Sequence, residues 1–157
     1  MTAQIAYSAH SSRWYFPSLY YNFVEHVGAN TTVEFVMIDT VVLSGNSRDE
    51  GTGEDLGGDQ LSGPEDENAA DEEWAWLNST LGASTADFLV VSGHFPVWSV
   101  CEHGPTGNLV TRLKPVLEHY NVSAYLSGHD HCEEHIDDSN NTGPQYHVIG
   151  AANQNQG

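Results

Sequence analysis

Three histidines on two short loops are the residues of this chain best suited to chemistry. His94 lies in Val91-Ser92-Gly93-His94-Phe95-Pro96-Val97-Trp98-Ser99, and His129 and His131 lie in Ser127-Gly128-His129-Asp130-His131. Each loop follows a short, mostly apolar, strand-like run, residues 87–91 and 123–126. Neutral imidazoles at the ends of adjacent strands make a metal site. A single histidine, or a bare His-x-His, recurs by chance and would not support this reading. The joint pattern does, because two histidines separated by one residue in a loop at a strand end can point to different sides and so serve different ions of a metal pair.

At these residues the chain resembles the metallophosphoesterases, and in particular the purple, or tartrate-resistant, acid phosphatases. The resemblance is carried in order by Ala3-Gln4-Ile5-Ala6-Tyr7-Ser8, Arg13-Trp14, Phe16-Pro17-Ser18, Asp39-Thr40, Gly45-Asn46-Ser47, residues 93–99, Glu102-His103-Gly104-Pro105-Thr106, residues 128–131 and Gly150-Ala151. So many ordered matches are far more specific than any one motif.

The resemblance implies two metal ions, Fe(III) with a divalent partner (Fe, Zn or Mn), that activate a water or hydroxide to hydrolyse phosphate monoesters. By position, His94 and His129 are similar to ligands of the divalent ion and His131 to a ligand of the ferric ion. His103 is similar to the family's histidine that contacts substrate phosphate and protonates the leaving group. An imidazolium beside a metal pair neutralises charge and supplies a proton. Asp130, between two ligand candidates, resembles a supporting loop residue rather than a ligand. The family's other motifs, a Gly-Asp pair, an Asp close to a metal-binding tyrosine and an Asn-His-Asp, have no match here. No tyrosinate or bridging carboxylate can therefore be assigned. The expectation is a partial catalytic domain over residues 1–157, an internal piece of the metallophosphoesterase α/β/β/α sandwich truncated at both ends, whose remaining ligands lie upstream.

The elements that must position these loops are legible in the hydrophobic pattern. Strand-like runs at residues 33–38, 88–91, 123–126 and 146–149 alternate with helix-like stretches at 71–81 and 108–120, giving an α/β reading. In the second stretch Leu109, Leu113, Val116 and Leu117 recur at helical spacing, and Pro115 is expected to bend or restart the helix. Trp74, Trp76 and Leu77 read as packing residues. Trp98 is balanced between packing and the pocket rim, and Tyr20 and Tyr21 read as half-buried aromatics near a loop. His10, His26, His119, His135 and His147 read as surface or packing histidines.

The formal net charge is -18, and 11 of the 22 acidic residues fall between Asp49 and Glu73. The fixed positive charges are Arg13, Arg48, Arg112 and Lys114, which offer no electrostatic footprint for nucleic acid. Phosphate would have to be attracted by metal. Residues 45–70 are rich in Gly, Asp, Glu, Asn and Ser without periodicity and read as an exposed acidic loop. Hydrophobic residues make up 39% of the chain, enough for one core, and no run approaches a membrane span.

Cys101 and Cys132 are the two cysteines, each close after a candidate ligand loop, and can form a disulfide or remain free thiols. The resemblance places the mammalian-type loop disulfide at Ser44 and Asn108, so that bridge is absent. Sequons at Asn30, Asn78, Asn121 and Asn140 fit an exported protein, and secreted or lysosomal/vacuolar placement is expected. The leading reading is a metal-dependent acid phosphatase. A non-catalytic metal-binding pseudo-phosphatase is the alternative, and a phosphodiesterase of the same superfamily a more distant one.

Overall fold

The computed structural model describes residues 2–47, 61, 63–138, 140 and 142–150. The chain opens with a short helix α1, Thr2–Tyr7, followed by an antiparallel hairpin of β1, Tyr21–Val27, and β2, Thr31–Met37. A one-turn helix α2, Thr40–Ser44, and the long helix α3, Glu67–Ala83, precede β3, Phe88–Ser92. A π-helical turn at Leu109–Leu113 runs into α4, Lys114–His119, which leads to β4, Ala124–Ser127. The strands β5, Glu133–Ile136, and β6, Gln145–Ile149, close the described chain. The six strands form one sheet in the order β1-β2-β3-β4-β6-β5. Its four central strands run parallel, and an antiparallel strand lies at each edge.

This mixed sheet agrees with the α/β expectation, and the four anticipated strands are its parallel centre. The edge strands β1 and β5 escaped the sequence reading for a physical reason. In β1 the partial burial stops after Phe23 and the last four residues are exposed, and β5, Glu-Glu-His-Ile, has little apolar content to signal a strand. The helix expected at 71–81 starts earlier, at Glu67. Asp66 caps it, its carboxylate accepting from the amides of Asn68 at 2.9 Å and Ala69 at 3.2 Å. The last residues assigned to the acidic loop are therefore helical, and Ala70 is buried in the core. Most of that loop, residues 48–60 and 62, lies outside the described residues. Pro115 does restart its helix: the π-helical turn ends before it, and the proline sits in the first turn of α4, where a missing N–H costs nothing.

One face of the sheet carries the core. Val36, Ile38, Leu89, Val91, Tyr125 and Tyr146 pack there against Trp74, Leu77 and Leu81 of α3 and Leu109, Leu113 and Leu117 of the second helical segment. The opposite face presents Phe35 and Val90, half-buried, and Phe23 stacks on Phe35 across the hairpin with ring centroids 5.2 Å apart. Tyr20 packs on Trp76 at 4.8 Å and Tyr21 heads β1, as expected of half-buried aromatics. His135 and His147 lie directly opposite each other on β5 and β6, with their rings stacked 4.6 Å apart.

A buried acid ties α3 to the end of β2. Glu73 is fully buried, and its Oε1 accepts the Asp39 amide at 2.7 Å. Burial raises its pKa to about 8 from 4.5, with the Asp39 charge adding to the rise and the Asp39 amide opposing it. The folded chain thus holds a proton that the unfolded chain has lost. Stability is fully present below about pH 4.5 and declines as pH rises toward 8, by at most about 1.4 kcal/mol per pH unit. Urea unfolding at pH 5 and pH 8 should show this decline, and Glu73→Gln, which keeps the acceptor without the titration, should flatten it.

Candidate functional site

The geometry of the site begins with two backbone hydrogen bonds beyond the strand ends. Gly93 N–H donates to the Leu126 carbonyl at 3.0 Å, and Gly128 N–H donates to the His94 carbonyl at 3.0 Å. The parallel β3–β4 ladder is thereby continued into both loops, and the two histidine motifs leave the sheet side by side. The His94 and His129 rings meet edge to face, with centroids 5.1 Å apart. His103, brought in by the next loop, lies 4.6 Å from the His129 ring. His131 follows on the same turn and is exposed.

Two neighbours, Thr40 and Tyr125, hold the His94 segment. Phe95 is buried; its amide donates to Thr40 Oγ1 at 3.0 Å, and its carbonyl accepts from the Tyr125 hydroxyl at 2.7 Å. Thr40 begins α2, whose first turn is capped by Asp39, accepting from the Val41 and Val42 amides at 3.0 and 3.2 Å. Gly93 is required by close approach: a Cβ there would stand 2.5 Å from Thr40 Cγ2 and 2.7 Å from the Tyr125 oxygen. Burial holds the pKa of His94 below 6.5, with the Asp39 charge acting the other way. The imidazole therefore stays neutral, the form that ligates metal, to lower pH than a free histidine.

The His129 turn is strained and braced. His129 has φ +66°, in the left-handed region that disfavours a β-carbon, and such strain is found where surroundings over-determine a functional residue. Asp130, fully buried, is the brace. One of its oxygens accepts the His103 amide at 2.8 Å, and the other accepts the Ser99 hydroxyl. Gly150 lets β6 close over the turn, since a Cβ would fall 1.7 Å from the Asp130 carbonyl oxygen. A disulfide between Cys101 and Cys132, Cα atoms 6.8 Å apart, joins the His103 segment to the same turn. The structure thus settles the open question about the two cysteines in favour of pairing.

The candidate residues divide as follows. The rings of His94 and His103 both lie against His129, His131 follows two residues on with its side chain exposed, and the five histidines read as surface or packing residues lie elsewhere in the sequence. Trp98 is half-buried against the core, and its indole N–H donates to Asp138 at 2.9 Å, which decides for packing. Sequence reasoning named Asp130 but not its work as a double acceptor, and it missed the bracing by Thr40 and Tyr125. Asp39-Thr40 was among the matched motifs, so Thr40 was within reach. Tyr125 was not, because a strand residue gives no sign of where its hydroxyl ends. A cleft of about 480 Å³ at the N-terminal end of β2, lined by Asn22, Thr32, Glu34 and Ser84, lies at the other end of the sheet. Glu34 there is taken up by hydrogen bonds to Asn22 and Ser84.

A histidine cluster at the carboxyl ends of parallel strands sits where open α/β sheets bind their ligands, and comparison with known proteins bears on it directly. The model of the calcineurin-like phosphoesterase family matches residues 6–133. The chain belongs to that family. It is 44% identical over 154 residues to tartrate-resistant acid phosphatase type 5 of Mus musculus, and 43% identical over 154 residues to that of Homo sapiens. Each alignment covers 98% of this chain and 45% of the relative, so the chain spans a little under half the length of the curated relatives it matches. Purple acid phosphatase 17 of Arabidopsis thaliana is 39% identical over 62 residues, covering 40% of this chain and 18% of the relative. Among solved structures, GAP50, the anchor in the inner membrane complex of Plasmodium, superposes with a TM-score of 0.72 at 27% identity, covering 92% of this chain and 41% of that one. A dimetal phosphatase from Danio rerio, 22% identical with a TM-score of 0.55, shares the fold over 83% of this chain and 48% of that one. The metallophosphoesterase fold and the kinship with purple acid phosphatases, expected from the motifs, are both found.

Two substitutions test the bracing. Asp130→Ala leaves the His103 amide and the Ser99 hydroxyl without their acceptor and should cost about 1–3 kcal/mol in urea unfolding. Gly93→Ala forces a methyl into Thr40 and Tyr125 and should cost a similar ~1–3 kcal/mol. It should also weaken the nuclear Overhauser contact between the His94 and His129 rings.

Proposed function

We propose that the protein to which this chain belongs is a metal-dependent acid phosphatase acting on phosphate monoesters. The observation that carries the reading is that the His94 and His103 rings both lie against His129, with centroids 5.1 and 4.6 Å from it, in a member of the calcineurin-like phosphoesterase family. The donor set fits a metal. Two imidazoles offer nitrogen ligands of the kind iron and zinc accept, burial favours the neutral form of His94, and the Gly128 amide ties the His94 backbone to the residue before His129. In this reading His94 and His129 hold the divalent ion, His131 holds Fe(III), and further ligands come from parts of the protein outside this chain.

When bound, such a pair supplies the Lewis acidity that activates water and neutralises phosphate charge. The chain's own residues then have distinct tasks. His94 and His129 fix where the phosphate can sit. In this reading His103, adjacent to His129 and held by Asp130 through its backbone amide, serves the leaving side of the ester. There its protonated ring binds a phosphate oxygen and donates the proton that the departing alkoxide needs. Burial of Asp130 keeps its carboxylate on the two loops and away from the phosphate. With four fixed cations in the chain, substrate attraction rests on the metals and on His103. No helix among the described residues is long and apolar enough to cross a membrane. The disulfide and the four exposed sequon asparagines, Asn30, Asn78, Asn121 and Asn140, support an exported or lysosomal/vacuolar protein.

Hydrolysis of p-nitrophenyl phosphate at acidic pH, by a protein that adds the upstream family motifs to this chain, tests the proposal. Metal-dependent turnover is expected. His129→Ala should reduce it at least about 100-fold, and His103→Ala should lower kcat by about 10²–10⁴-fold while leaving metal content intact. Absence of metal-dependent turnover, or full activity in His129→Ala, would overturn it.

A further inference from the structure

A second cluster of metal-ligating atoms lies beside the histidines and is independent of the phosphatase reading. The sulfurs of Cys101 and Cys132 and a carboxylate oxygen of Glu134 all lie within 4.8 Å of one another, and all three residues are half-buried. In the disulfide the sulfurs ligate nothing. We propose that reduction of the Cys101–Cys132 disulfide opens a zinc-class metal site formed by the two thiolates and Glu134.

The surrounding frame would keep the three ligands together after the bond is cut. The Cys101 amide donates to Ser99 Oγ at 3.1 Å, and the Ser99 hydroxyl in turn donates to buried Asp130. The Cys132 carbonyl accepts the Gly150 amide at 3.0 Å. Glu134 is held beside the cysteine pair, its two oxygens accepting the amide of Val100, the residue before Cys101, at 3.1 and 3.3 Å. The Cα atoms of Cys101 and Cys132 are 6.8 Å apart. Two thiolates on one tetrahedral zinc, with Zn–S near 2.3 Å, put their sulfurs about 3.8 Å apart, a separation this backbone spacing allows. Thiolate ligands select zinc-class ions over calcium or magnesium. Two thiolates and a carboxylate leave one position for water.

The chemistry balances simply. A phosphine with one water becomes the phosphine oxide, giving two electrons and two protons to the disulfide. Each thiol then releases its proton as it binds the ion. In the oxidised state the same pair ties the His103 segment to the His129 turn, so the two states exclude each other.

Cobalt(II) is the probe, because thiolate ligation gives it a near-ultraviolet charge-transfer band that histidine or carboxylate ligation does not. The chain is titrated anaerobically before and after treatment with a non-coordinating phosphine. The band should appear at one equivalent only after reduction, vanish on adding zinc, and be absent from Cys101→Ser and Cys132→Ser. Glu134→Gln should weaken cobalt binding about tenfold or more. No band in the reduced wild-type chain overturns the proposal, as does a band that survives either serine substitution. The comparison of oxidised and reduced wild type decides the matter even if a variant fails to fold. Neither result depends on hydrolytic activity, so the outcome is separable from that of the phosphatase assay.

Discussion

Everything in the candidate site depends on the parallel pairing of β3 with β4. A parallel ladder brings equivalent strand ends to the same edge of the sheet, so a loop leaving each strand must leave beside the other. The continuation of the ladder by the Gly93 and Gly128 amides turns that tendency into a fixed distance between His94 and His129. Each glycine sits immediately before its histidine, and at Gly93 any side chain would collide with Thr40 and Tyr125. The site is thus built by backbone first. Side chains follow from where the backbone must go.

A second layer of polar contacts makes that backbone rigid. Thr40, Tyr125 and Asp130 are buried, and each places its hydroxyl or carboxylate on a loop amide, carbonyl or hydroxyl rather than on open space. Buried polar atoms are costly unless paired, so these contacts fix one conformation. They also absorb the strain of the left-handed His129 backbone. Glu73 extends the same network to α3, holding the Asp39 amide from below with a proton that burial forces it to keep. The result is a histidine cluster whose geometry is set by groups outside it, as metal ligation requires of a preorganised site.

The sequence made the centre of this arrangement legible and left its periphery obscure. The parallel strands carry apolar runs bounded by Gly-His motifs, a pattern of burial and chemistry that reads directly. Strand β5 carries Glu133, Glu134 and His135, which signal solvent and not a sheet, and it exists because β6 offers it backbone partners. Helix α3 began earlier than its apolar spacing suggested because Asp66, a capping residue, sits within an acidic run that read as loop. Among site residues the histidines announced themselves by type and spacing. The braces did not, since a threonine, a tyrosine and an aspartate are common everywhere and acquire meaning only from what lies opposite them in three dimensions.

The central claim is that the strand pairing assembles His94 and His129 into one metal site within this chain. Histidine-selective nitrogen NMR during zinc titration measures it most directly. The account predicts that the His94 and His129 imidazole resonances shift together, with one affinity and one equivalent, ahead of those of His10, His26 and His119. Shifts of the two at separate affinities, or no shift of either while other histidines respond, would contradict it.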